Sequence, residues 1–158
     1  MIILGIDPGT SRIGIGVIKK HGGFLTHIES GLIPLQKKYK NEGERLCALE
    51  REIKKILKKR KPDIVGVESL YFSNNQKTAF SVSQARGIIL KTITEYKIPY
   101  VEFSPPEIKL SVAGHGNATK ERVAHMVGIL LHINTEKIID DTTDALAIAI
   151  AACYIKKY

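Results

Sequence analysis

Four acidic residues in this chain stand where their type and surroundings could do chemistry. Asp7 closes the apolar run "IILGID" and Glu68 closes "DIVGVE". Asp141 and Asp144 lie three apart in "DDTTDALAIAIAAC", a spacing that puts both on one face of a helix. Two carboxylates about 4 Å apart repel by about 4 kcal/mol at an effective dielectric of about 20, so acids gathered at one spot require a cation. Oxygen donors without a supporting cysteine cluster suit Mg²⁺, or Mn²⁺, better than zinc. Carboxylates and hard divalent ions beside a basic surface suggest two-metal phosphodiester hydrolysis. Plainer readings stand beside this one. Asp7 precedes Pro8 and could simply open a turn. Asp141 and Asp144 could be an N-cap and its acidic partner, both favoured by the helix dipole. Glu68, ending a buried strand, has the fewest such excuses, and Asp140 reads as a cap or solvent residue.

The elements that must position these acids follow from periodicity. Strands are expected at 1–7, 12–20 and 23–35, with "KKHGG" as the hairpin turn between the last two. A helix over 41–60 ends before Pro62, and a buried strand covers 63–68. A helix at 76–95, a strand at 99–103 and a short helix opening at Pro105-Pro106 come next. The loop "GHGNATK" then leads to helices at 119–131 and 141–156. A three-stranded meander followed by strands alternating with helices predicts a mixed α/β sheet with helices on its faces. Asp7 and Glu68 then fall at the C-terminal ends of central strands, the edge where such sheets place their sites.

Composition bounds the rest. The chain has 158 residues, 44% of them hydrophobic and 25% charged, the balance of one folded domain (1–158) rather than a disordered chain. The longest apolar run, "ALAIAIAACY", is too short for a bilayer, and no signal peptide opens the chain. Cys47 and Cys153 form no framework and read as reduced core or near-core thiols of a cytoplasmic protein. A net charge of +8 suits a polyanionic partner. Eleven of the 24 basic residues lie between Lys37 and Lys61. With pairs such as Glu50 and Lys54 at helical spacing, much of that cluster could be one solvated helix face.

Taken in order, "GIDPG" with "GIGVI", "VGVES" with "QARG", "GHGNATK" and "DDTTDALAIAIAAC" resemble the RuvC-type Holliday junction resolvases over essentially the whole chain. The resemblance implies an RNase H-like fold, with a mixed five-stranded sheet of a three-stranded antiparallel meander plus two parallel strands and helices on both faces. It implies an endonuclease that resolves four-way DNA junctions by paired symmetric nicks in homologous recombination and DNA repair, leaving 5′-phosphate and 3′-hydroxyl ends. By resemblance Asp7, Glu68, Asp141 and Asp144 match the family's metal-binding acids and hold two Mg²⁺ per site. Asp7 would contact both ions, and the D-x-x-D register selects Asp141 over Asp140.

The same resemblance supplies a substrate side. Tyr71 takes the place of an aromatic three residues after the strand-end acid, where it would stack on bases, a contact worth about 1–3 kcal/mol. The plain alternative is an aromatic covering the core, the reading favoured for Phe72. Ser73, Asn74 and Asn75 form a polar loop that meets DNA, with Asn75 the candidate, or merely connects. Lys109 and Lys120 match basic positions near the scissile strand, although Lys109 could be only solvated. Amides of the "GHGNATK" loop could hold a phosphate at a helix N-terminus, and His115 reads as a loop residue. Two symmetric cuts call for a two-fold homodimer, and the resemblance places Ala85 and Gly87 at its interface, ordinary packing on the sheet being the alternative. A RuvA–RuvB branch-migration complex is the implied partner, and no membrane.

Three rivals remain at this level. "DPGTSRIGIGV" is also similar to the phosphate-binding loop of the sugar kinase, Hsp70 and actin superfamily, which would make the chain a single-domain ATP-binding protein. Such proteins normally carry two of these domains. A related RNase H-like nuclease acting on RNA and a DNA-binding module with a vestigial site are the others.

Overall fold

The computed structural model describes residues 1–35, 39–69, 76–135 and 139–155. The elements run β1 (Ile2–Asp7), β2 (Arg12–His21), β3 (Phe24–Pro34), α1 (Glu42–Arg60), β4 (Ile64–Glu68), α2 (Gln76–Glu95), β5 (Tyr100–Phe103), α3 (Pro105–Ala113), α4 (Lys120–Leu131) and α5 (Asp140–Cys153). The sheet order is β3-β2-β1-β4-β5. β1, β2 and β3 pair antiparallel, while β4 and β5 join β1 in parallel. This is the expected mixed sheet. One turn differs from expectation. β2 continues through His21, which pairs with Phe24, so the hairpin turn is Gly22-Gly23 alone. Only Gly22, at φ +58°, needs a conformation that a side chain resists.

Strand alternation sorts the residues onto two faces. Leu4, Ile6, Ile13, Ile15, Val65 and Val67 pack under α1 and α2, against Leu49, Ile53, Leu57, Ile89 and Ile93. Ile3 and Ile64 point the other way, into a core built from α3, α4 and α5. By the same parity Gly5 and Asp7 share the α5 side with Ile3, and Glu68 shares it with Ile64. Arg12 and Gly14, alternating with Ile13 and Ile15, face α5 too.

On that side the helix approaches unusually closely. A Cβ on Gly5 would sit 2.0 Å from the carbonyl oxygen of Ala145, and one on Gly14 would sit 2.0 Å from that of Asp141. The backbone of α5 therefore rests on the backbone of β1 and β2. Its residues from Ala145 to Cys153 are all buried. Such contact draws the first turn of α5 over the end of β1.

The basic cluster on α1 proves to be largely a salt-bridged outer face. Lys54 pairs with Glu50 (2.7 Å) and Glu95 (3.5 Å), Lys55 with Glu52 (2.7 Å), and Lys59 with Glu29 (3.3 Å). Cys47 is exposed on this helix, so the core reading holds only for Cys153, whose thiol burial pushes up to about 11 and so keeps it unreactive. Among the described residues no helix is long and apolar enough to cross a membrane.

Candidate active site

Asp7 and Glu68 become neighbours because β1 and β4 run parallel in register, Ile6 opposite Val67. α5 supplies Asp141 and Asp144, and all four acids line one cleft of about 460 Å³ together with Lys109 and Lys120. Asp140 is exposed and lies outside that cleft. The N-cap reading of Asp141 fails. The cap is Ile139, which offers no side-chain hydrogen bond, and Asp140 and Asp141 occupy the first turn itself.

Crowding perturbs the acids in a consistent direction. Burial, then the charge and hydrogen bond of Glu68, push the Asp7 carboxyl up to about 8. Glu68 is raised as well, chiefly by burial, with its hydrogen bond to Asp7 opposing. Two carboxyls that hydrogen-bond to each other share a proton, so they titrate as a pair. Burial also raises Asp144, while Lys120 pulls it back. The Lys120 ammonium stands 3.3 Å from the Asp144 carboxylate, and that charge raises the lysine in turn. Asp141 is engaged differently: the guanidinium of Arg12 donates from Nε to its Oδ2. Asp141 and Asp144 are each turned to a protein cation, and no three of these acids close into a ready metal cage among the described residues.

Arg12 is the site residue that sequence reasoning missed. Its signal is parity alone, because it shares a strand face with Gly14 and so must meet the first turn of α5. The "GHGNATK" loop leads into α4 as expected. Thr119 caps α4 by accepting the Arg122 N–H at 3.2 Å, so that helix start is partly closed by its own side chain, and His115 stays in the loop. Tyr71, Phe72, Ser73, Asn74 and Asn75 lie outside the described residues. Ala85 and Gly87 part company, since residues two apart on a helix point about 200° apart. Ala85 is fully buried in its own core. Gly87 is exposed, with nothing within 4 Å of where its Cβ would be.

Residues 3–152 match the family described as "Crossover junction endodeoxyribonuclease RuvC". The chain is 41% identical over 156 residues to the RuvC of Prochlorococcus marinus (strain NATL1A), covering 99% of this chain and 100% of that one. It is 39% identical to the RuvC of Thermosipho melanesiensis, covering 94% of each. Thermus thermophilus RuvC in complex with Holliday junction substrate superposes with a TM-score of 0.90 at 29% identity, covering 98% of this chain and 93% of that one. The yeast mitochondrial Holliday junction resolvase Ydc2, at 16% identity and a TM-score of 0.68, covers 94% of this chain and 77% of its own and shares the fold. The agreement spans nearly the full length in both sequence and structure, and on that ground the chain belongs to the RuvC family of crossover junction endodeoxyribonucleases.

Proposed function

We propose that residues 1–158 form one nuclease domain that works as a homodimer and resolves four-way (Holliday) DNA junctions. It makes paired symmetric nicks that leave 5′-phosphate and 3′-hydroxyl ends, in recombination and repair. One observation carries this reading: Asp7, Glu68, Asp141 and Asp144 line a single cleft whose other polar lining includes Lys109 and Lys120. The ATP-binding alternative would need Asp7 for nucleotide, whereas here Asp7 is hydrogen-bonded to Glu68.

The donor set fits hard divalent cations, because the cleft offers four carboxylates and the raised pKa values of Asp7, Glu68 and Asp144 mark sites short of positive charge. Asp7, shared between the two sides, would hold ions with Glu68 on one side and with Asp141 and Asp144 on the other. Two Mg²⁺ ions, or Mn²⁺, supply water activation and stabilisation of the leaving oxygen when bound. The protein's own part is to fix the acids on two strand ends and a helix pressed against them. Lys120 and Lys109 present positive charge to the phosphates beside the scissile bond. Tyr71 stacks on bases at the opened junction, and Asn75 contacts DNA. The dimer forms through the α2 face that carries Gly87 and the 67%-exposed Phe80. Its partner is a RuvA–RuvB motor in the cytoplasm, a reading that family membership supports.

The experiment is direct. Four-way junction, linear duplex, flap, RNA–DNA hybrid and ATP are offered with Mg²⁺ to the wild type and to Asp7→Asn. Paired symmetric nicks in the junction alone are expected, abolished in Asp7→Asn with junction binding retained. Wild-type cleavage by Asp7→Asn would sink the metal-site reading.

A further inference from the structure

We propose that Arg12 is a built-in counter-cation of the active site. It occupies Asp141 in the ion-free protein, sets how readily the Asp141 side takes up a divalent ion, and then passes to a substrate phosphodiester. This rests on the two-metal reading of the cleft.

Arg12 opens β2 immediately beyond the turn that follows Asp7. Strand parity turns it to the α5 side, and the bare backbone at Gly14 lets the first turn of α5 descend to meet it. Its Nε donates to Asp141 Oδ2. The cleft thus holds its four acids in three different ways. Asp7 and Glu68 hydrogen-bond each other. Asp144 has Lys120, a point charge on a flexible stem, at 3.3 Å with its side chain 70% exposed. Asp141 has a guanidinium.

These partners yield to a divalent cation differently. The shared proton leaves to solvent, and the Lys120 ammonium can swing away into water. A guanidinium is more weakly hydrated than an ammonium, so Arg12 gains less from water and more from exchanging the carboxylate for another oxyanion. Its side chain is half exposed (50%), which makes exchange feasible and marks the pair as modest in strength. The planar fork that binds a carboxylate also matches a phosphate, and DNA entering the cleft brings phosphates beside the Asp7 turn. Arg12 would therefore release Asp141 as substrate arrives, coupling the loading of that side to DNA binding.

The test is Mn²⁺ titration of the intact protein without DNA, followed by calorimetry and by the free-Mn²⁺ electron paramagnetic resonance signal. Wild type, Arg12→Gln, Arg12→Lys, Asp141→Asn and Asp7→Asn are compared, with circular dichroism to verify folding. The wild type should show a weaker binding step that Asp141→Asn removes. Arg12→Gln should tighten that step about fivefold, and Arg12→Lys should lie between. In Arg12→Gln the dependence of junction affinity on salt should also flatten by about one phosphate contact. An unchanged weaker step in Arg12→Gln, with Asp141→Asn still losing it, overturns the role of Arg12 and leaves the metal site standing. Equal Mn²⁺ binding by wild type and Asp7→Asn overturns both.

Discussion

Under α1 and α2 the sheet presents Leu4, Ile6 and Val67 to Leu49 and Ile53, so long side chains interdigitate between helix and strand. Under α5 the strands present Gly5 and Gly14, and backbone meets backbone. Interdigitated side chains can repack when one is trimmed, at a cost that depends on how far the cavity collapses. A helix lying on strand backbone has no such slack, because any added atom must push the whole helix away. The acids follow the same division. On the α5 face Asp7, Glu68 and Asp144 are raised by burial. On the outer side of α1 and α2, Glu50 and Glu95 are lowered by hydrogen bonds from lysines. The chain places its chemistry on the face that tolerates least movement, which is what a site requiring sub-ångström placement needs.

Breaking the backbone contact should have the largest effect. In Gly5→Ala the new methyl would overlap the Ala145 carbonyl, and α5 must lift with both of its cleft acids, Asp141 and Asp144. Stability should fall by about 1–3 kcal/mol. Single-turnover junction cleavage per folded molecule should fall by about 100-fold or more, since misplacement by about 1 Å costs that much. Leu49→Ala supplies the contrast on the other face. It should cost about 2–5 kcal/mol in urea unfolding while leaving the cleavage rate of folded enzyme unchanged. Normal cleavage by Gly5→Ala would show that the close approach of α5 is not what places the acids.

Much of this arrangement is legible in the sequence, and the illegible parts have physical causes. Asp7 and Glu68 stand out because an acid ending an apolar strand is expensive without a purpose. The meander and the parallel strands follow from alternation and spacing. Asp141 is ambiguous in sequence because the acids that cap a helix and the acids that serve a cleft are the same residue types near the same helix end. Only the position of Ile139 as the cap separates the two readings. Ala85 and Gly87 are both small residues on one helix, and only the packing of α2 shows that the first is buried and the second exposed. Arg12 escapes notice because one arginine among 24 basic residues carries no local mark, and its partner lies across the fold.

The opposed pKa shifts predict opposed pH responses. Asp7 has a folded value of about 8 against an ordinary 3.8, so the folded state favours its protonated form. That contribution is complete below the ordinary value and is lost as pH rises through about 8. Without divalent ions, wild-type stability should therefore decline between about pH 5 and pH 8, on the order of a few kcal/mol. Asp7→Asn should flatten the decline, and Mg²⁺ should restore more stability to the wild type than to the variant. Urea unfolding at the two pH values, with and without Mg²⁺, measures all three. A wild-type profile as flat as that of Asp7→Asn would remove the charge-starved description of the site.

The smallest effect is expected where charges are most numerous. Glu50 accepts from Lys54 at 2.7 Å and from Lys91 at 2.8 Å, tying α1 to α2, and its pKa is lowered to about 2. The sign is opposite to that of Asp7: the stabilisation is present above the ordinary carboxylate range and is lost only as pH falls through about 2. Its size is limited by water, because the lysine partners are at the surface and solvent screens both pairs. Glu50→Gln should leave the urea midpoint at neutral pH and the cleavage rate unchanged, and added salt should not separate variant from wild type. A clear loss of stability in Glu50→Gln would mean that charge, and not interdigitated apolar side chains, holds α1 and α2 together. The contrast between the two faces would then be one of electrostatics rather than of packing.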